Sequence, residues 1–283
     1  MPSPLTDSAI TLEALWIYPI KSARGIAVKT ATLTPQGLAH DRRWMLVSRE
    51  GRFLTQRELP AMTQLEVSLA PDKLLCHYRE STLEIPFLSA APSEKEIRVW
   101  RFQGMAWRYP ESVNSWFSTV LETPCELVYM PDTLLRETNP AYAPGKQVSF
   151  ADGYPYLLTH QASLEHLNHY LTQHHSAPVT MEHFRPNLVL KSHAAAYAED
   201  HWKGISLSGM DGSTFAWDIV KPCERCVIVN TDPHTGTRRP EILKGLAQTH
   251  LHQHKIIFGQ NACAKQHTGL LHVGMKGFAY VSD

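Results

Sequence analysis

The first third of the chain is built from short apolar and polar alternations broken by turn residues, and that rhythm constrains the fold more than any other feature. "ITLEALWIYPIKS" carries the β-branched and aromatic residues of a strand, and Pro19 ends it just before Lys21 and Ser22. "GIAVKTATLTPQGL" alternates apolar and polar positions, while "RRWMLVSREGRFL" reads as two strands joined at Glu50-Gly51. "TQLEVSLAPDKLLCHY", "STLEIPF" and "EIRVWRFQGMAWRY" extend the pattern with Pro-Asp and Glu-Ser punctuation. Runs this short, this closely spaced, specify a meander or a small barrel.

Helical periodicity is confined to two places. Val113, Trp116, Phe117, Val120 and Leu121 recur at the spacing of one helix face. "ASLEHLNHYLTQ" places Leu164, Leu167 and Leu171 on one side, with Thr159 as the expected N-terminal cap. Strands are predicted again in "NLVLKS", "SLSG", "TFAWDIVK", "CVIVNT" and "KIIFGQ". With no regular βαβ alternation and no Gly-x-Gly-x-x-Gly or Gly-Lys-Ser/Thr loop, a doubly wound nucleotide-binding fold is disfavoured. The expected class is mainly β (α+β), in two domains spanning 9–130 and 148–283. Between them residues 131–147, with three prolines and a Gly-Lys in a polar setting, are predicted as a crossing loop.

Charge narrows the function. The 27 basic and 27 acidic side chains of this 283-residue chain cancel, so no global field draws it to a nucleic acid polymer or an anionic membrane. Any anion site must be local. No apolar stretch approaches the roughly 18 residues of a membrane helix, and no signal-peptide pattern opens the chain, so a cytoplasmic protein is expected. Five thinly spread cysteines argue for reduced thiols, and the 16 histidines fall largely in polar tracts without metal-binding spacing.

The segment "KPCERCVIVNTDPHTG" carries the sharpest chemistry. A thioredoxin-type pair needs a strand-to-helix junction, whereas Cys226 leads into a β-like Val227, Ile228 and Val229. A structural zinc site needs a second Cys or His pair, and Cys76, Cys125 and Cys263 are isolated. Two readings remain: small buried hydrophobes at a strand end, or a thiolate favoured by the neighbouring Lys221 and Arg225 and suited to a soft metal. Asp-Pro followed by Thr-Gly is ordinary turn chemistry, so Asp232 is read as a turn residue.

"PCERCVIVNTDPHTG" resembles the signature of the MOSC-domain family, named for the C-terminal domain of molybdenum cofactor sulfurase. "WIYPIKSARGI", "GLAHDRRWMLV", "FADGYPYLL", "FRPNLVL" and "FGQN" follow that family's order, so the likeness extends over nearly the whole chain. Within the family it is nearest to the YcbX-type proteins, with the mitochondrial amidoxime-reducing component a more distant relative. The resemblance implies an N-terminal β-barrel-like domain followed by the MOSC β-barrel with a few helices, with N-terminal strands around residues 12–45 contributing to the cofactor site. It makes Cys226 the protein ligand of molybdenum in a molybdopterin cofactor and leaves Cys223 without a ligand role. Lys21, Ser22, Arg42, Arg185, Asn187 and Arg225 match positions that hold the pterin and its phosphate. Arg forks, a Lys charge and neutral donors are the side chains such an anion needs. The role of Asn261 stays open.

The implied activity is reduction of N-hydroxylated compounds, among them hydroxylaminopurines, other N-hydroxylated bases and amidoximes, to the amino compounds, with a detoxification role. Many relatives carry a plant-type ferredoxin domain, but this chain has no Cys-x4-Cys-x2-Cys motif and so no iron–sulfur cluster of its own is expected. Electrons would come from a separate flavoprotein, ferredoxin or cytochrome-type partner, unless the chain is a truncated product. A carrier of the cofactor, or of sulfur as a persulfide on Cys226, is the alternative from a different functional class.

Overall fold

The computed structural model describes residues 8–89 and 92–281. The fold is mostly β with three helices, organised around a closed barrel of seven strands. In chain order these are β1 (Ser8–Ile17), β2 (Tyr156–His160), β3 (Leu188–Lys191), β4 (Gly204–Ser208), β5 (Thr214–Glu224), β6 (Lys255–Ala264) and β7 (Lys276–Tyr280). Around the barrel they run β2-β3-β1-β7-β4-β5-β6 and back to β2.

An odd number of strands cannot close antiparallel throughout, because each antiparallel neighbour reverses direction and the ring must return to its start. One pair has to be parallel, and it is β2–β3. A parallel pair needs a crossover, which here contains helix α2 (Gln161–Gln173). Thr159 therefore does not cap that helix as expected. It is a buried residue of β2, and the cap position falls to His160, with no side-chain cap bond.

The chain's first strand sits between β3 and β7, pairing antiparallel with both, although it precedes them by well over a hundred residues. After β1 the chain leaves to build a second unit. There a sheet of Trp44–Val47, Glu126–Tyr129, Phe102–Arg108 and Ser93–Val99, a three-stranded meander (Glu66–Leu69, Lys73–Tyr78, Ser81–Pro86) and helix α1 (Glu111–Val120) surround Trp44, Phe117 and Leu74. The α1 periodicity read from sequence is the face that packs there: Val113, Phe117 and Leu121 are buried.

Residues 131–147 lead back to the barrel and are anchored on the way. Arg136, 6% exposed, donates to the carbonyls of Ser149, Ala151 and Asp152, fixing the irregular segment that leads into β2. Behind the barrel, α2 packs on helix α3 (Glu241–Thr249) through Leu167, Leu171, Ile242 and Leu246. Gly245 permits that contact, since a Cβ there would lie 3.1 Å from Leu171. No helix among the described residues is long and apolar enough to cross a membrane.

"CVIVNT" is not a strand. β5 ends at Glu224 after two register shifts, one of them at Pro222, which has no N–H to continue the ladder. Val227–Asn230 then forms a 3₁₀ turn, with Val229 buried beneath α3 and Asn230 Oδ1 accepting the Leu243 N–H at 2.9 Å. A short apolar run fits either conformation, and here packing against the helix selects the turn.

Candidate functional site

Several segments converge where the barrel meets the second unit, among them the chain after β1, Arg42, residues 151–154, the entry to β3 and the end of β5. Between them lies a cleft of about 330 Å³. Lys21, Ser22, Arg42, Arg185, Asn187, Arg225 and Cys226 all line it, so the structure brings the seven sequence-selected residues into one site. Three of them, Ser22 (φ 70°), Arg42 (φ 50°) and Arg185 (φ 56°), adopt the left-handed backbone region that side-chain-bearing residues avoid at a cost of about 1 kcal/mol each. Such strain on three separate segments of one cleft is held in place by the surrounding fold.

The cationic wall is built on Tyr18, whose buried ring lies between two guanidinium groups, Arg42 at 4.1 Å and Arg185 at 4.2 Å. Arg42 is neutralised: its Nη1 donates to both carboxylate oxygens of buried Asp41 at 2.8 and 2.7 Å, and to Asn187 Oδ1 at 3.1 Å. Arg185 has no carboxylate partner among the described residues and donates from Nη1 to the Ala23 carbonyl at 2.8 Å. Burial, and then the nearby Arg42 charge, lower its pKa to about 10, so it remains a cation at neutral pH. Half-buried and without a counterion, this guanidinium is suited to meet an anion.

Asn187 holds this wall together. Its Oδ1 also accepts the Leu157 N–H and its Nδ2 donates to the Trp16 carbonyl, so its amide ties Arg42 to β1 and β2. That use gives it a positioning part and leaves little of the amide for a ligand.

Lys21, 6% exposed, donates from Nζ to the Phe150 carbonyl at 2.8 Å and to Asp152 Oδ1 at 2.6 Å. Burial lowers the Lys21 pKa, against the opposing pull of Asp152. The Asp152 side chain is 65% exposed, and contact with the Lys21 ammonium, with help from Trp100 and Arg57, holds its carboxyl below the usual carboxylate range. Asp152 lines the cleft, and nothing in "FADGYP" beyond its place in a familiar segment distinguished it by sequence.

The cysteines separate by environment. Cys76, Cys125 and Cys263 are buried, and burial drives their thiols up to about 12, 11 and 11. Cys226 is exposed at the cleft, at the start of the 3₁₀ turn. The charges expected beside it lie elsewhere. Arg225 Nη1 donates to Cys223 Sγ at 3.0 Å and its Nη2 to the Phe184 carbonyl, while Lys221 pairs with Glu224 at 3.2 Å. Residues two apart in extended chain share a face, which is why Arg225 meets Cys223 and not its immediate neighbour. Arg225 Nε is buried without a partner.

Asp232 is a turn residue, its Oδ1 accepting the His234 and Thr235 N–H groups at 2.9 Å each. The loop it shapes docks on the second unit through Arg24, Gln64 and Arg238. Asn261 borders the cleft and donates to the Pro222 carbonyl at 3.3 Å, while Gln260 turns away to Asp200. Residues 55–57 also line the cleft, a contribution from the second unit that sequence reading did not single out.

A family model of the MOSC N-terminal beta barrel domain matches residues 9–124, and one of the MOSC domain matches residues 145–276. Mitochondrial amidoxime-reducing component 1 of Mus musculus is 30% identical over 237 residues, covering 80% of this chain and 67% of that protein. Molybdenum cofactor sulfurase of Oryza sativa subsp. japonica is 29% identical over 271 residues, covering 89% of this chain but only 32% of that longer protein. Among solved structures, the YUAD protein from Bacillus subtilis aligns over 98% of each chain at 8% identity, with a TM-score of 0.43. With both domain models matched in order and a relative shared over most of its length, the chain belongs to the MOSC-domain family.

Proposed function

We propose that this protein is a molybdenum cofactor-dependent reductase that converts N-hydroxylated compounds to the corresponding amines. The observation that carries the reading is the pairing, in one cleft, of an exposed thiol with a half-buried guanidinium that lacks a carboxylate partner among the described residues. The residues fit the cofactor: a soft ligand in Cys226, an unneutralised cation in Arg185, and an unpartnered Nε on Arg225. Cys226 would hold the metal, and Arg185, Arg42, Arg225, Lys21 and Ser22 the pterin and its phosphate. Bound there, the cofactor would supply two-electron chemistry and accept the oxygen.

The remaining work falls to the chain. Reduction of R–NHOH takes two electrons and two protons and yields R–NH₂ and water. Lys21 Nζ, bonded to Asp152 Oδ1 at the cleft, keeps a positive charge facing the cofactor's anionic end. Asp152, ionised, keeps that ammonium oriented. A separate electron-donor protein supplies the electrons.

The test measures molybdenum and pterin per chain, and reduction of an N-hydroxylated purine by chemically reduced protein. Wild type is expected to carry cofactor and turn over, and Cys226→Ala to lose both. Cofactor-loaded wild type without activity, or full activity in Cys226→Ala, overturns the reading.

A further inference from the structure

A second cleft, of about 600 Å³, shares no lining residue with the first. One segment serves both, since Arg42 lines the first cleft while His40 and Arg43 line the second. His40, like Arg42, is held in the left-handed backbone region, at φ 66°. The other walls come from the turn after Thr30–Thr34, from Tyr129 at the end of its strand, and from the crossing segment 131–147. None of these residues has a part in the chemistry above.

Arg43 supplies the charge. Its Nε donates to the Met130 carbonyl at 3.2 Å and its Nη2 to the Tyr129 hydroxyl at 3.2 Å and Asp132 Oδ1 at 2.7 Å, while Nη1 has no partner among the described residues. The counterion is loosely placed: the Asp132 side chain is 84% exposed against 11% for Arg43, so solvent competes for it. Further donors stand open beside it. Gln36 donates from Nε2 to Gln147 Oε1 at 3.1 Å, which leaves the Gln147 amide nitrogen unpartnered. The Tyr129 hydroxyl accepts from Arg43 and keeps its own proton. Burial, and then the Arg43 charge, lower the His40 pKa, so at neutral pH its uncharged ring offers one N–H. None of these open atoms is enclosed, so each is within reach of a ligand. The cleft also has a flat side: the His40 and Tyr129 rings both pack on buried Trp44, at 6.1 and 5.1 Å, and Phe87 braces His40 at 4.6 Å.

We propose that this second cleft binds a small aromatic carboxylate. The ligand's carboxylate takes the place of Asp132 on Arg43, with the Gln147 amide and the Tyr129 hydroxyl as further donors, and its ring lies against His40 and Tyr129. Asp132 is the stand-in that shows the guanidinium accepting a carboxylate there. The inference is independent of the reductase reading, because it uses no residue of the first cleft. That cleft is cationic too, so the test must separate the two.

Para-fluorobenzoate is titrated into the protein and followed by the width of its fluorine NMR signal, with para-fluorobenzamide as the uncharged control. Saturable binding of the benzoate is expected, with the amide about tenfold weaker. Asp132→Asn removes the internal competitor from an exposed position and is expected to tighten benzoate binding about threefold. Gln147→Glu keeps the acceptor that Gln36 uses but sets a carboxylate where the open donor stood, and is expected to weaken binding about tenfold. Arg185→Met, in the first cleft, is expected to bind the benzoate as wild type does. Thermal unfolding midpoints of the same preparations establish that each variant is folded. The site is overturned if wild type shows no saturable binding, if the amide binds as tightly as the benzoate, or if Asp132→Asn fails to tighten binding. It is equally overturned if folded Gln147→Glu binds like wild type, or if binding is lost in Arg185→Met, which would place the benzoate in the first cleft.

Discussion

Two regions of this molecule bury ionisable groups, and they use them in opposite ways. Behind the barrel, Glu199 is enclosed with Ser163 and His160; the Ser163 hydroxyl lies 2.7 and 2.8 Å from its carboxylate oxygens, and burial pushes the carboxyl up to about 7. Next to it His250 Nε2 pairs with Asp200 at 2.6 Å, and Gln260 closes the network. These partners are internal to the fold, and only His160 Nδ1 among the groups named there lacks a hydrogen bond. In the cleft, Arg185, Arg225 Nε, Thr55 Oγ1 and Gln56 Oε1 are left with capacity unmatched by the protein. Perturbed ionisation alone would have ranked Glu199 as a functional candidate; unmatched hydrogen-bonding capacity beside an open cleft is the better discriminator.

The contrast is broken most sharply inside the cleft, at the two arginines on Tyr18. Arg42→Met strands Asp41 as a buried unpaired carboxylate, with a loss of about 3–5 kcal/mol expected in urea denaturation. Next in size is the pH response of the internal network. The Glu199 carboxyl is raised above its unfolded value, so its contribution to stability is full below about pH 4.5 and is lost as pH rises through about 7. Wild-type stability relative to Glu199→Gln should therefore fall by up to about 3 kcal/mol between pH 4.5 and 8, read as the difference in unfolding free energy at each pH. If the difference is flat with pH, the internal network is not set as described.

Arg185→Met sharpens the comparison from the other side. It removes a cation without a counterion, so unfolding free energy should shift by less than about 1 kcal/mol, while bound pterin falls about tenfold. A stability loss like that of Arg42→Met would show that Arg185 serves the fold. The smallest effect is expected for Cys223→Ala, which removes the sulfur that Arg225 contacts and should lower bound molybdenum by no more than about twofold, measured by elemental analysis. Loss approaching that of Cys226→Ala would make both members of the pair necessary.

The seven cleft residues singled out were legible through the family segments that carry them, and their types, a thiol, cations and neutral donors, suit the cofactor proposed for the cleft. Local patterns likewise determined the β-rich first third, the buried face of α1 and the Asp232 turn, since alternation, helical spacing and Asx-turn chemistry act over a few residues. Partnerships were not legible. That β1 closes the barrel between β3 and β7, that Arg225 faces Cys223, and that "VIVN" coils under α3 depend on contacts between segments distant in sequence. The same holds for Asp152 and residues 55–57, ordinary side chains until closure of the barrel against the second unit sets them on one cleft. The sequence by itself determined which chemistry the chain can hold, because side-chain identity carries it; only the tertiary structure decided which groups are left unpaired, because that depends on how every neighbour packs.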